Sequence, residues 1–424
     1  MSAGPSAATA IRRMDLCRVC GSDGLAPVLD LGRQALGNAF HRPGGPEPLR
    51  APLELVRCTA CSLVQLGYSV DPGRMYATYW YRSGVNRTMT EHLHGIVAET
   101  QRVAGVVADD VVVDIGCNDG TLLQAWPAGV RTVGVDPSNL RPARADAFVN
   151  DYFSARSVAG ALGGARAKAV TSIAMFYDLD RPAEFARDVA AILDPRGVWV
   201  LELSYLPRML EMVSYDTICH EHVAYYRLGT FERVLADSGL EVVDLGFNAS
   251  NGGSFRIVVA HRGARTPAPI VARVRAVETL DGMDGAEPYA RFAEAARRNR
   301  EELLRFLRAA RADRRVVYGY GASTKGMVTL QFCGIDAELL PAIAERNPDK
   351  VGLLTPGTDI PIVSEAEMRR AQPDALLVLP WHFLDEFLLR EREYLARGGR
   401  LVTPMPTLRL HRGERDVAGT SRSR

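Results

Sequence analysis

The residues whose types and spacing could do chemistry fall in a few short stretches. The densest is Cys219-His220-Glu221-His222, followed at once by Val223-Ala224-Tyr225-Tyr226. A histidine beside a carboxylate suits proton transfer near neutral pH. The two rings lack the i, i+4 spacing of a helical zinc motif, so this is not read as a metal site. The bland alternative is a polar surface turn with a satisfied histidine. A second group is Cys17-Arg18-Val19-Cys20 with Cys58-Thr59-Ala60-Cys61. Two such knuckles can supply four thiolates to one tetrahedral zinc, a closed site with no position for a substrate, so the zinc is structural. The segment between them, with Arg42-Pro43-Gly44-Gly45-Pro46, is too small to build its own core. A redox dithiol would need one exposed pair beside a βαβ unit, and a nucleic-acid ribbon would need a basic face.

Two glycine loops complete the set. Val111-Val112-Val113-Asp114-Ile115-Gly116-Cys117-Asn118-Asp119-Gly120 reads as a buried strand and a tight bend, leading to a helix from Thr121-Leu122-Leu123. A second strand follows, Val133-Gly134-Val135, and ends in Asp136, where a carboxylate can take both hydroxyls of a ribose. The loop fails the Gly-x-Gly-x-x-Gly template, which argues against a dehydrogenase. Loop plus spaced acid resembles the S-adenosylmethionine (AdoMet) site of class I methyltransferases. The second loop is Gly319-Tyr320-Gly321-Ala322-Ser323-Thr324-Lys325-Gly326. It lacks the Walker ending, yet a helix start carrying Ser323, Thr324 and Lys325 could cradle a pyrophosphate.

These residues must be held by elements the pattern also reveals. Strands are expected at 111–116, 131–136, 146–150, 169–175 and 197–203, alternating with helical spacing such as Pro182 to Leu193. That alternation predicts a parallel sheet covered on both sides, with ligands at the strands' carboxyl ends. Met175, Asp151 and Tyr152 fall at such ends, the last two suited to an adenine. Tyr76 to Tyr81 is dense in aromatics and reads as a hinge or a lid. Asn251-Gly252-Gly253 is a turn before the strand Ile257 to Ala260. Pro288 to Ala312 reads as a charged helix over a buried stripe, and further strands end near Glu345, Leu379 and Val402.

The bulk numbers set bounds. A length of 424 residues with 47% hydrophobic and 24% charged content suits several globular domains. A net charge of +1 gives no field to recruit nucleic acid or an anionic membrane. No apolar run has spanning length and no secretory signal is evident, so a cytoplasmic protein is expected. Nothing demands more than a monomer.

Together the segments resemble the three-domain sugar C-methyltransferases that act on nucleotide-linked deoxysugars. The resemblance rests on the paired knuckles, Asp114-Ile115-Gly116-x-Asn118-Asp119-Gly120, Cys219-His220-Glu221-His222, the Gly319 to Gly326 loop, and Asn347-Pro348-Asp349-Lys350 with Pro356-Gly357-Thr358. It implies an α/β fold: a central class I methyltransferase Rossmann-like domain (76–261), flanked by a zinc-knuckle domain (15–75) and a second Rossmann-like domain that binds the nucleotide sugar (262–411), with tails at 1–14 and 412–424. It implies AdoMet contacts from Asp114, Gly116, Cys117, Asn118, Asp136, Asp151, Tyr152 and Met175. Substrate contacts are expected from Tyr79, Tyr81, Asn251, Ser323, Thr324, Lys325, Arg346 and Asn347. His222 is the implied base, beside Glu221. Family members often have tyrosine where this chain has Cys219.

Carbon is a poor nucleophile until deprotonated, and a C–H beside a ketone is acidic enough for a positioned base if the enolate is stabilised. His222 is expected to take that proton, with His220 or Tyr225 holding the enolate oxygen, and C3 favoured over C5 as the methylated carbon. One alternative is an O-methyltransferase; another, of a different class, is a non-enzymatic zinc-ribbon or nucleotide-binding scaffold.

Overall fold

A computed structural model describes residues 10–75 and 82–412. The β-branched run Val111-Val112-Val113 is buried throughout and forms an interior strand of the central sheet. The strands of this sheet are β1 (Val111–Ile115), β2 (Arg131–Val135), β3 (Ala147–Val149), β4 (Ala167–Ile173), β5 (Leu193–Ser204), β6 (Leu240–Asn248) and β7 (Ser254–His261). Their spatial order is β6-β7-β5-β4-β1-β2-β3. The five from β3 to β5 are parallel, while β7 runs antiparallel to β5 and β6 antiparallel to β7. The winding reverses between β1 and β4, so a crevice opens at their carboxyl ends. The β6–β7 turn holds Asn251, Gly252 and Gly253 at φ of 55°, 91° and 127°; glycine adopts such values without strain, and asparagine is among the few other residues that visit the left-handed region.

One element differs from expectation. After the first glycine loop the chain forms only a 3-10 turn, Leu123–Ala125, in place of a helix. Pro127 forces Trp126 into the extended region and bars continuation. Leu123 and Trp126 are instead buried in the core behind β1.

The first domain is a sheet of Leu25–Ala35, Arg50–Cys58 and Val64–Leu66, completed at its edge by Ala224–Tyr225 from beyond the His-Glu-His stretch. Ala224 pairs with Gln65 and Tyr225 with Val64. Arg18, beside the first knuckle, reaches Leu66 O (3.0 Å), Ser69 and Asp180, tying this domain to the loop after β4.

The third domain is a mainly parallel sheet of β8 (Val317–Tyr320), β9 (Ile343–Glu345), β10 (Ile362–Ser364), β11 (Ala375–Val378), β12 (Leu401–Thr403) and β13 (Arg409–His411), in the order β10-β9-β8-β11-β12-β13. Helix Glu287–Ala312 lies alongside and buries Phe292, Ala296, Leu303 and Leu307. Burial of each large side chain contributes about 1.5–3 kcal/mol. Its outer face carries Arg291–Glu287 and Arg298–Glu294 pairs. The domains are joined by directed bonds. The Gln331 amide brackets Ala35 through both its N–H (2.7 Å) and its carbonyl (3.1 Å). Buried Glu278 accepts from Leu228 N, Gly229 N, Tyr205 Oη and the Arg227 guanidinium. No described helix is long and apolar enough to cross a membrane.

Candidate active site

The crevice at the end of β1 is built around backbone that cannot carry side chains. Gly116 has φ +74°, and a Cβ there would sit 3.1 Å from Met175 Cγ. Asp136 ends β2 with each carboxylate oxygen fixed by one amide: Oδ2 takes the Asn118 N–H (2.8 Å) and Oδ1 the Ser138 N–H (2.9 Å). Each oxygen keeps a lone pair for a hydroxyl. Asp151 and Tyr152 are exposed at the end of β3. The Asp136 carboxylate and the side-chain-free backbone at Gly116 fit AdoMet. Two of the expected contact residues have buried side chains. Asp114 is buried behind the loop, where Thr171 Oγ1 donates to it at 2.6 Å and burial raises its pKa to about 7, so it shapes the loop from below. The Cys117 side chain turns into the core behind β1. Asn118 and Asp119 do more than anticipated: their carbonyl and carboxylate oxygens accept the Ser83 and Gly84 N–H groups. Tyr79 and Tyr81 lie outside the described residues.

The His-Glu-His stretch lies against this crevice. Two residues beyond Met175, the Tyr177 ring meets the His222 ring with centroids 4.2 Å apart. His222 Nδ1 lies 3.0 Å from the Thr217 carbonyl. A carbonyl can only accept, so Nδ1 carries the proton and Nε2 bears the lone pair. Burial, then the charge of Lys325, push the His222 pKa down to about 3, so the ring is neutral at physiological pH. No described residue hydrogen-bonds Glu221, whose pKa burial alone raises to about 7. His220 Nε2 lies 3.2 Å from the Ala51 carbonyl, and burial pushes its pKa down to about 4. Its proton is spent on Ala51 and its other nitrogen has none, so His220 cannot donate to an enolate; it anchors the loop to the first domain. The Tyr225 hydroxyl faces the Thr217 carbonyl at 3.5 Å, in the buried wall behind His222.

The third domain closes the other side. A narrow cavity, too tight in this structure to admit a water molecule, is lined by Leu36, Gly37 and Met75 from the first domain, Cys219, His220 and Glu221 from the loop, and Thr324 from the third. Lys325 Nζ donates to the Asn251 carbonyl at 2.9 Å. The turn carrying Asn251 is propped by Glu202, which holds His92 Nε2 (2.5 Å), Asn248 Nδ2 (2.8 Å) and Arg256 Nε (3.0 Å). Trp381 Nε1 donates to Asp216 Oδ2 at 2.9 Å, while Asp216 Oδ1 is buried without a partner. Part of the second loop is engaged within the chain. Its Ala322 N–H is taken by Glu345 Oε2 (2.7 Å), and Ser323 Oγ caps Gly326 N (3.1 Å). Glu345 Oε1 accepts from Arg346 N and Asn347 N, and the Arg346 side chain is exposed. Glu202, His92, Asp216 and Trp381 carry no sequence signal, because their roles arise from contacts between distant segments. A larger groove between Leu210 and Phe292 holds none of these residues.

The sulfurs of Cys17, Cys20, Cys58 and Cys61 lie within 4.8 Å of one another, and none of the cysteines is in a disulfide. Four convergent thiols fit one tetrahedral zinc.

Residues 17–76 match a family described as a zinc binding domain, 81–245 one described as a methyltransferase domain, and 249–406 one described as the C-methyltransferase C-terminal domain. The last begins before β7, which is hydrogen-bonded into the central sheet. The chain is 32% identical to C-methyltransferase NovU of Streptomyces niveus over 94% of this chain and 97% of that protein. Among solved structures, it overlaps magnesium protoporphyrin IX methyltransferase of Synechocystis PCC 6803 with bound S-adenosylhomocysteine (14% identity, 44% of this chain, 91% of that one, TM-score 0.32). It also overlaps an S-adenosylmethionine-dependent methyltransferase of Clostridium acetobutylicum (12% identity, 41% and 92%, TM-score 0.30).

Proposed function

The chain belongs to a family of AdoMet-dependent C-methyltransferases that join a zinc-binding domain, a methyltransferase domain and a C-methyltransferase C-terminal domain, and on that premise we propose that its acceptor is a nucleotide-linked 4-keto-deoxysugar, methylated at C3. Transfer to carbon sets aside the O-methyltransferase and scaffold readings.

The observation that carries the proposal is the His222 ring. Its Nδ1 is fixed on Thr217, its face packs on Tyr177, and its other nitrogen is free beside the crevice. Bound AdoMet would supply an electrophilic methyl; Gly116, Asn118 and Asp136 would hold it. His222 Nε2 removes the proton alpha to the ketone. The neutral ring is weak as a base, but negative charge developing on the adjacent ketone oxygen raises its proton affinity as transfer proceeds. The three domains meet around the His222 loop, and opening of the narrow gap between them would admit the acceptor, whose alignment supplies much of the rate. Support for a sugar is chemical: an aldehyde-derived ring with a 4-ketone offers an acidic C–H and hydroxyls for the polar wall.

The test is product analysis. A panel of nucleotide-linked 4-keto sugars is incubated with AdoMet and the chain, and products are read by mass spectrometry and carbon-connectivity NMR. A new carbon-bound methyl at C3 is the expected result. A methyl at C5 corrects the position, and no product with any 4-keto sugar removes the substrate class.

A further inference from the structure

We infer that the Lys325 ammonium, carried in by the third domain, is the group that holds the substrate oxygen as the enolate forms. This rests on the proton-abstraction reading above and gives the second glycine-loop domain a catalytic residue as well as a wall of the cavity.

An enolate next to a neutral imidazole needs a donor aimed at its oxygen, and such a donor is worth about a hundredfold or more in rate. The loop around His222 offers none. His220 has committed its proton to Ala51. The Tyr225 hydroxyl faces Thr217 O, and the Tyr226 hydroxyl is buried in the core against the cysteine cluster. Cys219 is a thiol that burial keeps protonated, and a thiol is a weak donor. Lys325 meets the requirement. It stands in the first turn of helix Thr324–Cys333, which packs on the Tyr215–Thr217 turn leading into the His222 loop. Its neighbour Thr324 lines the same cavity as Glu221. An ammonium has three protons, and the bond to Asn251 O uses one.

The electrostatics agree with that placement. Lys325 depresses both His222 and His382, so its charge is felt at the base; burial lowers its own pKa, and the nearby Asp216 carboxyl opposes that shift. His382 Nδ1 is buried without a hydrogen-bond partner. The turn that fixes Lys325 is itself braced by Glu202 and Arg256, so the ammonium is held before substrate arrives. In the step, His222 Nε2 takes the α proton and the C–H electron pair becomes the carbon–carbon double bond. The carbonyl π pair moves to oxygen, and Lys325 donates a hydrogen bond to that oxygen while keeping its proton.

The experiment reads proton exchange without methyl transfer. The full chain is incubated with a nucleotide-linked 4-keto sugar in deuterium oxide with no AdoMet, and deuterium at the α carbon is followed by NMR. Lys325→Gln should slow exchange at saturating sugar by about 10²-fold or more, with the sugar's KM and calorimetric AdoMet affinity nearly unchanged. Native exchange rates in Lys325→Gln would overturn the inference, as would a raised KM with the saturated rate kept, the mark of a phosphate grip. If Lys325→Gln does not fold, Lys325→Ala with added ethylammonium decides: restored exchange supports the role, and unrestored exchange with AdoMet binding intact overturns it. If the native chain itself exchanges no proton on any such sugar, the abstraction reading falls and takes this one with it.

Discussion

The Nδ1 of His222 lies 3.0 Å from the carbonyl oxygen of Thr217, and this one bond decides which ring nitrogen can act as a base. Thr217 belongs to the turn that packs on the third domain, while the chain beyond His222 pairs with the first. The imidazole is thus held from both sides, in one tautomer.

His222→Asn should keep a donor for Thr217 but remove the basic nitrogen. Solvent-deuterium exchange into the acceptor should fall by about 10²- to 10⁴-fold, with AdoMet affinity unchanged. Unaltered exchange would remove His222 as the base. Because the native ring titrates near 3, His222 should add no inflection to the rate profile between pH 5 and 8.

His220 links folding to pH. Its folded pKa of about 4 lies below the unfolded value of 6.5, so the unfolded chain binds more protons between those limits. The stability from burying this ring neutral is complete above pH 6.5 and is lost as pH falls toward 4, by about 3 kcal/mol in total. Asp114 and Glu221, with raised pKa values, act in the opposite sense across that range, while His222, lowered to about 3, acts in the same sense as His220. The comparison is therefore between the native chain and His220→Gln, which can still donate to Ala51. Denaturant titrations at pH 7 and pH 5 should show the variant losing less stability than the native chain; equal losses would contradict the assignment.

Zinc removal should reach the chemistry through the shared sheet. Cys58→Ser, or chelation, deletes the staple of a domain whose edge strand is Ala224–Tyr225. The first melting transition should drop by about 10 °C. The rate at saturating substrate should fall while calorimetric AdoMet affinity, set by the separate crevice at β1, stays near native. Full turnover after complete zinc loss would show that the two are uncoupled.

Much of this site can be read from local patterns. The run Val111 to Ile115, the acid Asp136 and the knuckles Cys17, Cys20, Cys58 and Cys61 each advertise themselves, since strand burial, a strand-end carboxylate and metal-ligand spacing are short-range properties. The helix expected after Gly120 fails for an equally local reason, Pro127, whose effect on Trp126 outweighs the apolar pattern before it. The Ser323 to Lys325 loop looks like a phosphate cradle in sequence, yet Glu345 takes the Ala322 amide from a different strand.

The sequence by itself determined the three folding units and put a histidine, a carboxylate and two glycine loops into the chain in a usable order. Only the tertiary structure decided what each polar group does. Donors and acceptors are assigned by whichever partner lies within about 3 Å, and those partners come from far along the chain. Ala51 disarms His220, Thr217 sets the tautomer of His222, and Asn251 positions Lys325. Residue types can be listed without knowing distances, but a hydrogen bond cannot.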